Sequence, residues 1–240
     1  GGTPTESSPG TSKPTLVAKK LIGYSDYSYE ADEDSIIAVL PLIQTGLVQG
    51  AAEALEDALI NGDSDGTHQD TDTEAVTNNR AKLWDGLRKA ALSDAALNIS
   101  LATGGISVSN LALMRNTAVK YGMKVNDLLF IPGIKGYNDI VQLDETLTAD
   151  KVGSNQARIL TGDAASIWGI RILPSALVRE DLNANGVFDN VTTTKGSILL
   201  VHKPSWIMGV LREFLVEVEQ NKYTQMNSVI ASFRSAFTSL

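Results

Sequence analysis

Two short stretches of this chain hold residue types at spacings that could do chemistry. The first is Asp181-Leu182-Asn183-Ala184-Asn185-Gly186-Val187-Phe188-Asp189. Side-chain oxygens fall at positions 1, 3, 5 and 9 of that run, and the Val187 carbonyl can serve at position 7. Glycine stands at position 6, where a calcium loop makes its sharp turn. Asp181, Asn183, Asn185, Val187 and Asp189 are therefore candidate metal ligands, and hard oxygens favour calcium. Position 12 is Thr192 instead of a bidentate glutamate, and the flanks read as strands, so the expected affinity is weak, ~10⁻⁴–10⁻³ M. The commoner use of such a run is a plain surface turn. The second stretch, Gly62-Asp63-Ser64 followed by Asp65-Gly66-Thr67-His68, carries the nucleophile and base types of a serine hydrolase. One turn cannot spread these overlapping residues into a serine–histidine–aspartate relay with an oxyanion hole. A helix end followed by an acidic loop is the better reading. The chain has no cysteine, and its two histidines, His68 and His202, sit beside no nucleophile or ligand cluster in the sequence. No catalytic residue and no required cofactor is assigned.

Composition narrows the partners. The 240 residues carry a formal charge of −8, with 20 Lys and Arg against 28 Asp and Glu. A surface built to grip nucleic acid needs the opposite excess, because binding is driven by displacing the phosphates' counterions. No apolar run approaches the ~18 residues of a membrane span, so no membrane partner is expected. Without cysteine there is no disulfide framework and no thiolate metal site. The length allows one large domain or two modest ones.

The elements that must position these stretches centre on a long helix, expected over residues 35–61. A short turn over residues 35–40 opens it, and Pro41 suits the first turn of the main helix that follows. Apolar residues at Leu42, Ile43, Leu47, Val48, Ala51, Leu55, Ala58 and Leu59 follow a period near 3.6 and predict a buried stripe, with Leu55 and Leu59 against a sheet. Gly46, Gly50 and Ala54 make a second line where another backbone could come close, and Gly62 is the expected left-handed cap. Residues 1–14 are small, polar and Pro/Gly-rich, a flexible loop. Residues 15–29 read as a strand. A polar loop over 63–79, a short element over 83–92 and a turn at 103–105 precede a second helix capped by Ser109. A buried strand at 127–132 follows, then a short helix at 136–143 and strand-like runs around a turn at 161–163. Further strands are expected at 197–202, 206–212, 214–218 and 228–237. Strands and helices mix without a βαβ rhythm, which predicts an α+β fold.

The ordered set resembles the major capsid proteins of tailed phages, the Hong Kong 97-type capsid fold. LVAKKLIGYSDYS resembles the descending arm of that family's extended loop, and LINGDSDGT the end of its spine helix. SNLALMRNTAVKYGMKVNDLLFIPGIKGYNDIVQLDE resembles the helix, strand and helix of its axial domain. ILTGDAASIWGIRILPS resembles the strand pair that follows, and GVLREFLVEVEQNKYTQMNSVIASFRSAF the two closing strands, with Arg234 in the usual arginine position. The resemblance implies a peripheral domain over 16–62 and 209–232, an axial domain over 63–208 and 233–240, and a loop remnant over 1–15. It also implies a structural subunit that forms pentamers and hexamers with itself and closes an icosahedral shell. That shell would enclose viral DNA without binding it specifically. It would be assembled in the host cytoplasm and resident in the virion, with scaffold, portal or decoration proteins as further partners. Members of the family carry an N-terminal arm and an ascending loop before the first matched residues. Residues 1–240 alone are accordingly expected as monomers or small rings. A protein nanocompartment shell shares the fold, and a calcium-binding surface module is the alternative from another class.

Overall fold

The computed structural model describes residues 14–35, 37–101, 105–143 and 166–240, and it mixes helix with sheet. Strand β1 (Lys19–Ser28) ends where the Ser28 hydroxyl accepts a hydrogen bond from the Ala31 amide and starts helix α1 (Tyr29–Asp34). The long helix α2 (Val39–Asn61) follows, with Pro41 in its first turn, where no intrahelical donor is needed. Helices α3 (Thr71–Glu74) and α4 (Leu87–Ser93) bring the chain back over the end of α2. Then come α5 (Val108–Thr117), β2 (Leu128–Pro132), α6 (Ile134–Val141), β3 (Ser166–Ile167), β4 (Ile170–Ile172) and β5 (Ile198–His202). Two long strands close the chain, β6 (Trp206–Asn221) and β7 (Met226–Ser239).

The strands form two sheets. In the first, β7 lies between β1 and β6 and is antiparallel to both. In the second the order is β3-β4-β2-β5, with β2 parallel to β4 and antiparallel to β5. The apolar run of β2 is buried because Leu128 and Phe130 join Leu111, Ile140, Ile167, Ile170 and Ile172 in one core. A smaller cluster of Ile60, Ile131, Val178 and Leu199 attaches the last turn of α2 to this second sheet.

Several expectations need correction. The helix over 108–117 is capped by Ser107, whose hydroxyl accepts from the Asn110 amide, not by Ser109; Val108 packs against the core and draws the helix start two residues earlier. Residues 206–212 and 214–218 belong to one strand, broken only by register shifts between Val210 and Leu215. Leu55 and Leu59 are half-buried; Ala54, Ala58 and Ile60 are the buried apolar residues of α2, and Leu42 and Val48 stay exposed. The stripe is thus only partly a core stripe within one chain. Gly62 is extended (φ −55°, ψ 137°) instead of left-handed. Its glycine is required for another reason: a Cβ there would lie 2.3 Å from the Ala58 carbonyl oxygen and 2.4 Å from that of Trp84. The divisions expected at residues 209 and 233 fall inside β6 and β7, whose full lengths lie in the first sheet. Residues 1–13 of the expected loop remnant, most of the turn at 103–105 and the turn at 161–163 lie outside the described residues.

Candidate functional site

Where α2 ends, the chain must hold its last turn, the acidic loop and α4 together. It does so with charge. Lys89, on α4, points its ammonium into the loop and donates to both Asp63 oxygens (3.0 and 2.9 Å), to Asp65 (2.5 Å) and to the Thr67 carbonyl. The side chains of Lys89 and Asp63 are both buried. Burial pushes the Asp63 carboxyl up against the pull of Lys89. Burial also pulls Lys89 down, but its hydrogen bonds to Asp65 and Asp63 outweigh that and hold it above the ordinary lysine value. The Lys89 hydrogen bond holds the exposed Asp65 carboxyl down at about 2.

One residue earlier on α4, Arg88 pairs with the buried Asp70, while its second terminal nitrogen finds no partner. Asp70 is shared. Its other oxygen accepts from the Phe188 amide (2.9 Å), and Arg179 approaches the oxygen paired with Arg88 at 3.4 Å. Arg179 also grips Asp72 (2.7 Å) and meets Asp181 with two parallel N–H···O bonds of 2.9 Å each, a geometry only a guanidinium can supply. Its plane lies 4.2 Å from the centre of the Phe188 ring. Asp57 and Arg80 (2.6 Å), Asn61 and the Leu177 carbonyl (2.7 Å), and Glu56 and Ser175 (2.6 Å) fasten the last turns of α2 to their surroundings. A cavity of about 480 Å³ opens here, but its charged walls are already paired, Asp57 with Arg80 and Asp72 with Arg179.

The arrangement is a clamp. It holds backbone in place. Ser64, the nucleophile type of the hydrolase reading, donates its hydroxyl to Asp85 (2.8 Å), and the aspartates on either side of it serve Lys89. His68 stands in the left-handed region at φ 61°.

The five candidate calcium ligands lie in a loop closed at its base by reciprocal backbone bonds of Leu182 and Lys195. Asp181 spends both oxygens on Arg179, which holds its carboxyl below the ordinary value. The Asn183 carbonyl oxygen accepts from the amides of Asn185 (2.9 Å) and Val187 (3.2 Å), and its amino group donates to Asp189 (2.9 Å). The Val187 carbonyl accepts from the Asn183 amide, and Asp189 takes the Val191 and Thr192 amides. Asp181, Asn183, the Val187 carbonyl and Asp189 are thus engaged inside the protein, and Asn185 contributes its backbone amide. Gly186 is left-handed (φ +79°) and lies so close to Leu92 of α4 that a Cβ would come within 2.8 Å. The loop's visible task is to seat Phe188 on Asp70 and Thr71, whose amide donates to the Phe188 carbonyl (3.0 Å). Sequence reasoning missed Asp70, Asp72, Arg88, Lys89 and Arg179. A signal existed, since Arg88-Lys89 sit in the middle of an apolar segment, where cations are buried only when paired.

Outside the clamp, apolar side chains stand on open faces. Leu42 and Val48 on α2, Ile22 and Tyr24 on β1, and Val210, Leu211 and Val218 on β6 are all exposed. No helix among the described residues is long and apolar enough to cross a membrane.

No family profile matches the chain. A capsid of a native GTA particle superposes with a TM-score of 0.61 at 14% identity, over 94% of this chain and 70% of that one. The capsid of cyanophage P-SCSP1u superposes with a TM-score of 0.54 at 14% identity, over 100% and 77%. This is the tailed-phage capsid fold. In sequence, the major capsid protein of Escherichia phage T5 is 23% identical over 219 residues, 90% of this chain but 42% of that protein. The chain therefore spans less than half the length of this curated relative. The long helix expected from the sequence is α2, and the clamp lies at its C-terminal end.

Proposed function

We propose that the chain is the shell-forming part of a major capsid subunit. Copies of it gather into pentamers and hexamers and then into an icosahedral shell around viral DNA. The observation that carries this reading is the similarity to capsid proteins along nine-tenths or more of the chain, in sequence and in structure. The open apolar faces of α2 and of the three-stranded sheet agree with it, because a lone subunit gains nothing by exposing them. The work is geometric, with no catalytic step. The −8 charge suits a container, since a net-negative wall does not hold packaged DNA tightly. The subunit acts in the virion and assembles in the host cytoplasm. Negative-stain microscopy of the product of the complete gene tests the reading: closed particles of uniform diameter are expected. A product that stays monomeric at every concentration and salt overturns it.

A further inference from the structure

The register of the three-stranded sheet brings side chains into rungs on the face away from α2. Lys20 lies opposite Arg234, and Arg234 opposite Arg212, so three cations stand in one row across β1, β7 and β6. All three are exposed. Like charges directly opposite one another destabilise a sheet. Among the described residues, Arg212 makes one long contact with Glu217, 3.9 Å, and neither Lys20 nor Arg234 has an acidic partner. The next two rungs are largely apolar, Ile22 with Ser232 and Leu215, then Tyr24 with Ile230 and Glu217. Ile22 is 52% and Tyr24 72% exposed. The fourth rung is acidic, Asp26 with Ser228 and Glu219. Six residues of strand, roughly 20 Å at about 3.4 Å each, separate the two charged rungs. Gly23, on the opposite face, abuts Leu47 of α2, so the helix leaves this face bare.

The pattern is self-complementary. A two-fold axis running across the strands at its centre lays Lys20 against Asp26 of a second copy and Arg212 against its Glu219, while Tyr24 meets Ile22. We infer that this face pairs with the same face of a second copy of the chain, through an isologous contact. The inference rests on the shell reading for its setting. Three strands about 4.8 Å apart over ~20 Å give a face of roughly 300 Å², below the ~800 Å² per partner of a stable complex, so the contact is weak alone and suits subunits held together elsewhere as well. A nucleic-acid partner fits less well, because the acidic rung and the overall −8 charge oppose a phosphate backbone.

Two triple variants test it, Lys20→Glu/Arg212→Glu/Arg234→Glu and Asp26→Lys/Glu217→Lys/Glu219→Lys. Both reverse the sign of a charged rung and keep it single-signed without touching the core, and equal melting temperatures verify folding. In sedimentation at low salt, wild type should show a dimer that weakens as salt rises. Each variant alone should associate at least tenfold more weakly, and their equimolar mixture should recover pairing. Mixtures no better than either variant alone overturn the inference. So does loss of duplex-DNA retention confined to the arginine-reversed variant, which would make this a nucleic-acid surface. The shell reading is judged separately by microscopy: uniform particles from wild type and from both variants leave the shell standing and remove this contact. Recovered pairing without particles from the complete gene leaves the contact standing and removes the shell.

Discussion

Lys89 shows how a single residue can hold a helix end. Removing it strands the buried Asp63 carboxylate, so Lys89→Met should cost about 3–5 kcal/mol at neutral pH. The pH dependence then has a definite sign. In the variant the Asp63 folded-state pKa rises further above its unfolded value of ~3.9, so the folded state binds the extra proton and gains stability as pH falls from 7 toward 4. Urea melts at pH 7 and pH 5 should show the gap from wild type narrowing; a constant gap would mean that Asp63 finds another cation. In wild type the Asp63 shift has the same sign, held smaller by Lys89, while Asp65 and Lys89 titrate in windows of their own. Asp65, held at about 2, keeps its contribution above the ordinary carboxylate value and loses it as pH falls through 2. Lys89, raised, keeps its contribution at neutral pH and loses it only as pH climbs past its folded-state pKa, above the ordinary value of 10.5. The loop at 181–189 was legible as an Asp/Asn/Gly turn, because those residues fold back on their own backbone wherever they occur. What it docks against was not legible, since Phe188 and Asp70 are 118 residues apart. With the oxygens of Asp181, Asn183, Val187 and Asp189 engaged by Arg179, by Asn183 and by backbone amides, the loop should give no calorimetric heat with millimolar calcium, and Asn183→Ala should lower the melting temperature with or without the ion. Heat that disappears in Asp181→Ala would reverse that assignment.

At the scale of the element, periodicity located the pieces well. The strands at 19–28, 128–132 and 198–202 and the long helix lie close to where alternation and the 3.6 repeat placed them. Gly62 failed as a left-handed cap because its role is set by a second glycine 24 residues on. The Gly86 amide donates to the Gly62 carbonyl (2.8 Å), and a Cβ at Gly86 would come within 2.6 Å of the Gly62 nitrogen. Two backbones touch here with no room for a side chain, and no local pattern announces that. Gly62→Ala should therefore destabilise by more than the ~1–3 kcal/mol typical of overpacking, because the obstructing atoms are backbone and cannot swing aside. Thermal melts of Gly62→Ala and of Gly66→Ala, a left-handed loop glycine with nothing within 4 Å of its Cβ position, separate clash from conformational strain. The prediction fails if Gly66→Ala is the more damaging of the two.

The whole molecule explains why the apolar pattern of α2 overstated its burial. A 3.6-residue stripe records every surface that a helix covers, whether the partner is its own sheet or another subunit. Ala54, Ala58 and Ile60 settle against this chain, whereas Leu42 and Val48 do not. Gly46 and Gly50 sharpen the point: a Cβ at either position would meet nothing within 4 Å. Each glycine lowers helix stability by about 1 kcal/mol relative to alanine, and nothing in the single chain compensates. If those positions meet a neighbouring backbone in the shell, the two effects of substitution separate. Gly46→Ala/Gly50→Ala should stabilise the isolated chain by up to ~2 kcal/mol while reducing the yield of closed particles from the complete gene product. Chemical melts read the first quantity and particle counts by microscopy the second. A variant that is more stable and assembles as well as wild type would show that this face of the helix stays in solvent after assembly. The open stripe would then belong to the lone chain, and the subunit contact would have to be sought on the sheet.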